Sequence, residues 1–283
     1  MRGPDRGTAP LRPGEGGAGT HHVHRPGTAA PAFDPVLFDR AALERDGRVL
    51  GEAGAGRGNT VFIDWHGTQL VLREYLRGGA ARHLSRRHYV SFGLQRSRPM
   101  REFRLLCELE ARGLPVSPAY AAQRTRCGPL ERGMLITCRV PGETLATRLV
   151  GSGGVGDGAL LAAVGVCVAR FHRQGVRHAD LNAHNIIVQD LDSGPRVTLI
   201  DFDRGRIDAR LADVPEPSRC AQANLHRLAR SFDRLLEAAA ARRAAEQVGA
   251  AWRDAYARPA SEQEPEPVGE GTTGAGAAPP TER

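Results

Sequence analysis

Apolar and polar residues alternate within GEAGAGRGNTVFIDWHGTQLVLREY, residues 51–75: Val61 and Ile63 precede His66-Gly67, and Leu70 and Leu72 follow it. A period of two belongs to a half-buried strand, so the stretch predicts two strands joined by a tight turn. In RPMREFRLLCELEARGLP the repeat lengthens to that of a helix. Phe103, Leu106, Leu109 and Glu110 keep helical spacing, and Gly113-Leu114-Pro115 ends the run. Residues 33–50 predict a short helix leading into Val49-Leu50, and residues 132–140 (RGMLITCRV) predict another strand. Leu160, Val164, Cys167, Val168 and Phe171 line one stripe of a helix over 159–174 that stops at Gly175. Two short strands, Ile186–Val188 and Val197–Ile200, come next, and one Arg/Ala/Leu-rich helix starts near 218.

Strands and helices together, in both halves of the chain, make an α+β fold. The expected division is a nucleotide-binding N-lobe over 33–140 and a catalytic C-lobe over 141–257. Residues 1–32 and 258–283, rich in Gly, Pro and charge, are expected to be disordered tails. His21, His22 and His24 fall in the first tail, where nothing nearby completes a metal site.

Composition narrows the chemistry. Of 283 residues 41% are hydrophobic, enough for a core, and the formal net charge is +7. All 39 basic residues are arginine, so no lysine is available to bind phosphates. Cys107, Cys127, Cys138, Cys167 and Cys220 are scattered and odd in number, which argues for free thiols over a disulfide frame. No apolar run reaches a membrane span, and no signal-peptide core is apparent, so a cytoplasmic protein is expected.

The sharpest chemical signal is HADLNAHN at 178–185, answered by LIDFDRGR at 199–206. Asp180, Asn185 and Asp201 occur in the order a kinase catalytic loop requires. One carboxylate meets the acceptor hydroxyl; an amide oxygen and a second carboxylate hold the magnesium that bridges the ATP phosphates. Upstream, Gly51, Gly54, Gly56 and Gly58 suit a turn whose backbone N–H groups lie over phosphates. Arg73 stands where kinases carry a strand lysine, and Glu102 is its expected partner, with Glu108 and Glu110 as competitors. Asp203 replaces the glycine of Asp-Phe-Gly, Asn182 replaces a catalytic-loop lysine, and a long activation segment is missing. A small, non-protein acceptor therefore fits better than a peptide. Arg77, Arg82, Arg86, Arg87, Arg96, Arg98 and Arg101 form a basic run that is either a solvated face or a surface for an anionic substrate or membrane.

REFRLLCELEARGLPV, HADLNAHNIIV, LIDFDRGR and LVLREYLRGG closely resemble the 3-deoxy-D-manno-octulosonic acid (Kdo) kinases, the lipopolysaccharide kinase family, over roughly residues 45–240. The resemblance implies a protein-kinase-like two-lobed fold with a reduced C-terminal lobe. It also implies ATP- and Mg2+-dependent phosphorylation of the 4-hydroxyl of Kdo on a lipid A precursor. The implied partners are that Kdo-lipid A precursor and the anionic inner-membrane surface, with no nucleic acid. The implied location is peripheral, on the cytoplasmic face of the inner membrane. Residue by residue, Asp180 would be the base, Asn185 and Asp201 the metal ligands, and Arg73 and Glu102 the phosphate-positioning pair, with Gly54, Gly56 and Gly58 over the nucleotide. His178 would orient the loop. Arg204 and Arg206 would hold a carboxylate or phosphate, or else form salt bridges within the lobe. A kinase for a heptose or other small-molecule hydroxyl, and an inactive pseudokinase scaffold, are the alternatives.

Overall fold

The alternating stretch becomes a hairpin in the computed structural model, which describes residues 12–15, 19–25, 31–52, 60–75, 89–90, 93–152 and 157–258. The strands of the first half are β1 (Arg12–Glu15), β2 (Thr20–His24), β3 (Val49–Glu52), β4 (Thr60–Trp65), β5 (Thr68–Glu74), β6 (Tyr89–Val90), β7 (Ala119–Cys127) and β8 (Leu130–Cys138). They form one antiparallel sheet in the order β1-β2-β7-β8-β5-β4-β3, with β6 also on β8. His66 and Gly67, both at positive φ (52° and 80°), make the β4–β5 turn, whose twist matches that of the strands.

The period of two sorts the sheet's side chains into two cores. Leu70 and Leu72 face outward and pack with Val61, Ile63, Trp65 and Ile136 beneath Leu37, Phe38 and Leu43 of the α1 (Arg40–Arg45) region. Tyr75 and Leu135 face the other way, towards α2 (Arg98–Ala111), whose Phe103, Leu106 and Leu109 are fully buried. Burial of each such side chain contributes roughly 1.5–3 kcal/mol. This inner core runs on into the second half without a break, through Leu160, Phe171, Phe202, Phe232 and Trp252.

The second half comprises β9 (Glu143–Thr144), α3 (Leu145–Gly151), α4 (Gly158–Arg173), β10 (Gln174–Arg177), β11 (Ile186–Leu191), β12 (Gly194–Leu199), β13 (Arg206–Ala212), α5 (Arg219–Asp233) and α6 (Ala238–Ala257). Strands β9, β11 and β12 form one small sheet, and β10 pairs with β13 in another. α4 lies directly on α6, and Gly165 permits it: a Cβ there would sit 2.5 Å from the carbonyl oxygen of Val248. Leu199 N–H donates to the Pro115 carbonyl at 3.0 Å, which ties β12 to the loop that follows α2.

Two expectations fail. The disordered tail over 1–32 does not hold at Thr20–His24, which pairs with β7 as a sheet strand and carries β1 beside it. Val23 packs against the inner core, His22 is buried and stacks on Phe38 at 5.5 Å, and His24 stacks on Phe33 at 4.8 Å. The single helix from 218 is two helices. The N–H groups of Leu235 and Leu236 both turn back to the Phe232 carbonyl, which ends α5 and reverses the chain into α6. Of the tail over 258–283, all but Arg258 lies outside the described residues.

Candidate active site

The catalytic-loop motif starts where α4 ends. Gly175, at φ 70°, turns the chain into β10, and a Cβ there would lie 2.2 Å from the Asp208 carbonyl oxygen. His178 is buried and bridges two segments. Its Nδ1 accepts the Asp180 N–H at 3.2 Å, so Nε2 carries the proton and donates to the Ile200 carbonyl at 3.0 Å. Burial holds His178 below the ordinary histidine range, despite its hydrogen bond to Ile200 and the nearby Asp201 and Asp180. A neutral ring suits the orienting part expected of it.

Around Asp180 the loop is braced from within. Asn182 and Asn185 each donate a side-chain N–H to the Asp180 carbonyl at 2.9 Å. The acceptor fixes the Asn185 amide with its nitrogen inward and its oxygen turned away. The Asp180 carboxylate is left exposed (64%), with Arg227 Nη1 3.8 Å from it. Asp201 stands at φ 62°, an uncommon conformation for aspartate that turns it out of the line of β12. Phe202 plugs the core behind it, 5.7 Å from Phe171 and 4.6 Å from the His178 ring.

From the sheet side, β5 presents Arg73 on the face opposite Leu70 and Leu72, and α2 presents Glu102 beneath it. Arg73 Nη2 donates to Glu102 Oε1 at 2.5 Å, and Arg73 Nη1 donates to Asp201 Oδ1. The competitors are otherwise engaged: Glu108 pairs with Arg112 and Glu110 with Arg25. Burial pushes the Glu102 carboxyl up, against the pull of Arg73. Burial also weighs against the charge on Arg73, but Glu102, Tyr75 and Asp201 outweigh it and hold the guanidinium charged. Arg73 likewise overrides burial at Asp201 and keeps that carboxyl below its usual range.

Several residues of the site carried no motif. The Tyr75 hydroxyl donates to Glu102 Oε2 at 2.5 Å, and its ring has the guanidinium carbons of Arg73 and Arg98 each 5.0 Å from its centroid. Arg98 binds both carboxylate oxygens of Asp203, so this member of the basic run is an internal strap. Arg204 is exposed and lies 3.7 Å from Asp203, and Arg206 is exposed at the start of β13. Asn224, Arg227 and Ser231 occupy one face of α5, against the catalytic loop. Asn224 Nδ2 donates to the His178 carbonyl at 2.6 Å, and the Ser231 hydroxyl accepts the Ala183 N–H at 3.0 Å. The only sequence signal for this face is a polar residue at a buried position beside Ala221, Leu228 and Phe232. Gly54, Gly56 and Gly58, expected over the nucleotide, lie outside the described residues.

The first-half and second-half motifs thus meet at one place, where an exposed carboxylate, an amide oxygen and a second carboxylate lie beside a buried Arg–Glu pair. Asn185 and Asp201 offer hard oxygen donors of the kind Mg2+ takes together with substrate phosphates. No metal cluster of His, Cys, Asp and Glu side chains occurs among the described residues. No helix among them is long and apolar enough to cross a membrane.

A family model described as "Lipopolysaccharide kinase (Kdo/WaaP) family" matches residues 40–254. A "3-deoxy-D-manno-octulosonic acid kinase" of Xanthomonas euvesicatoria pv. vesicatoria is 39% identical over 214 residues, which cover 72% of this chain and 82% of that protein. One of the same name from Xanthomonas oryzae pv. oryzae is 42% identical over 214 residues, with the same coverage of 72% and 82%. A solved structure titled "WaaP in complex with acyl carrier protein" aligns with a TM-score of 0.48 at 16% identity, covering 79% of this chain and 86% of that one.

Proposed function

Since the chain belongs to the lipopolysaccharide kinase (Kdo/WaaP) family, we propose that it transfers the terminal phosphoryl group of ATP to the 4-hydroxyl of a Kdo residue on a lipid A precursor. The supporting observation is the meeting of Asp180, Asn185 and Asp201 with the Arg73–Glu102 pair, in which Arg73 and Asp201 are 128 residues apart in the chain. In this reading residues 33–140 bind nucleotide and residues 141–257 carry the catalytic loop.

Asp180 takes the proton of the acceptor hydroxyl as its oxygen bonds to the γ-phosphorus. The bond from that phosphorus to the β-γ bridging oxygen breaks, ADP leaves with the electron pair, and Asp180 returns its proton to water. Arg73, anchored by Glu102 and Tyr75, presents its cation to the phosphates in place of a lysine. Asn185 and Asp201 would hold the Mg2+, which when bound neutralises charge between the phosphates. His178 keeps Asp180 at the right height through the backbone N–H it accepts. Gly54, Gly56 and Gly58, outside the described residues, are assigned to nucleotide binding in the same reading. Work on a lipid-linked sugar places the protein at the cytoplasmic face of the inner membrane, as a peripheral protein on an anionic surface.

The test is transfer from labelled ATP-Mg to a Kdo-bearing lipid A precursor, with a heptosylated core as a parallel acceptor. Product on the first acceptor, lost in Asp180→Ala while ATP still binds, is expected. Transfer to heptose alone would change the acceptor. ATP binding without transfer to either would make the protein a pseudokinase.

A further inference from the structure

Arg227 is the residue of α5 that reaches the acceptor side of the site, where its ion-pair partner is Asp180 and no hydrogen bond fixes its guanidinium among the described residues. Its Nη1 lies 3.8 Å from Asp180 Oδ1, close enough for attraction but too far for a hydrogen bond. Its Nε is buried and has no hydrogen-bond partner among the described residues. A buried N–H without an acceptor is uncommon and calls for a physical reason. The helix that carries Arg227 is nonetheless held in place against the loop. Asn224, one turn before it, ties α5 to the backbone of His178, and Ser231, one turn after it, ties α5 to Ala183. The side chain is partly open to solvent (41%), beside an Asp180 that is more open still (64%).

We propose that Arg227 recognises the carboxylate of the acidic acceptor sugar. The inference rests on the reading of the acceptor as Kdo. The two carboxylates of the site each have an arginine, and the two arginines differ. Arg73, on Asp201, is committed by hydrogen bonds to Glu102 and Asp201 and belongs to the nucleotide side. Arg227, on Asp180, is uncommitted and stands beside the group that receives the acceptor's proton. An ulosonic acid carries its carboxylate at carbon 1, a few bonds from the 4-hydroxyl, so both groups reach one site together. The planar fork of arginine matches a carboxylate with two parallel N–H···O bonds. Turning it towards the sugar breaks no hydrogen bond, and its own attraction to Asp180 keeps it beside the reacting hydroxyl until substrate arrives. Arg204, the nearer candidate by sequence, instead lies against Asp203 and is almost fully exposed (78%).

The experiment compares two acceptors with ATP-Mg: the Kdo-bearing lipid A precursor, and the same molecule with the Kdo carboxyl converted to a neutral primary amide. Arg227→Ala is expected to raise KM for the native acceptor by about ten- to a hundredfold, the loss of charge-assisted hydrogen bonds, with KM for ATP unchanged. On the amide the wild-type protein loses as much, and Arg227→Ala then costs nothing further. Arg227→Lys keeps the charge without the fork, so it gives a smaller rise, again on the native acceptor alone. It carries the test if the alanine variant does not fold. Equal losses on both acceptors, or an unchanged acceptor KM, would overturn the assignment of Arg227 while leaving the kinase reading intact. Failure of the wild-type protein to phosphorylate the native acceptor would overturn both.

Discussion

Arg98 holds Asp203 by both carboxylate oxygens, two residues beyond the Asp201 that Arg73 holds. Two arginines from the sheet side therefore grip two aspartates of one short segment, and Tyr75 lies within cation–π distance of both guanidinium groups. The aspartate in place of the usual glycine is the anchor for the second strap. Arg98→Ala and Asp203→Ala are each expected to lower stability by about 1–2 kcal/mol, and the double variant by less than their sum. Urea unfolding of the four proteins measures the coupling; strict additivity would mean the pair is not an interaction in solution.

Arg73 is expected to tolerate lysine better than alanine. Alanine leaves Glu102 buried with only the Tyr75 hydroxyl, a loss of about 2–3 kcal/mol, softened because burial already favours the protonated acid. ATP KM should rise markedly in Arg73→Ala and partly recover in Arg73→Lys. Steady-state kinetics with varied ATP decide this, and identical constants in all three proteins would make Arg73 a bystander.

Asn224 holds both the N–H and the carbonyl of His178, and its Oδ1 also meets His172 Nε2 at 3.2 Å. Asn224→Ala strands several buried polar groups at once, so a loss of about 2–4 kcal/mol and a fall in kcat larger than any change in ATP KM are expected. A variant as stable and active as the parent would show that α5 does not position the loop.

Acid should destabilise the protein through His172. Burial holds this ring down to about 4, and its hydrogen bonds need the neutral form: Trp252 Nε1–H donates to Nδ1 at 3.0 Å, which leaves the ring proton on Nε2. The unfolded chain binds a proton near the ordinary 6.5 while the folded chain refuses it. Unfolding therefore takes up a proton, and stability that is full at neutral pH is lost as pH falls from about 6.5 towards about 4. The loss from this group amounts to at most about 3 kcal/mol. Thermal melts from pH 7 to 4.5 should show a steeper decline for the parent than for His172→Gln. Parallel declines would contradict it.

Much of the fold was legible because it follows local periods. The alternation over residues 60–75 and the helical spacing of Phe103, Leu106 and Leu109 each specify an element whose buried face is written in consecutive residues. The β2 strand was not legible: beside the lone Val23 its burial rests on His22 and His24 stacking on Phe38 and Phe33, and histidine pairs do not read as a core. The break between α5 and α6 was hidden for a similar reason. Ala, Arg and Leu favour helix on both sides of it, and Leu235 and Leu236 turn inward only because a core lies there.

By itself the sequence determined the order of the candidate site residues: Arg73, then Glu102, then Asp180, Asn185 and Asp201, with Asn185 bound to the same short loop as Asp180 because only five residues separate them. Only the tertiary structure decided the partners. Glu102 was chosen over Glu108 and Glu110 by which turn of α2 faces β5, Arg98 was taken from the surface by Asp203, and Arg227 was brought to Asp180 by the packing of α5 beneath the loop. Local spacing sets which residues share a face, but charges far apart in the chain meet only when burial of the apolar faces brings their elements together.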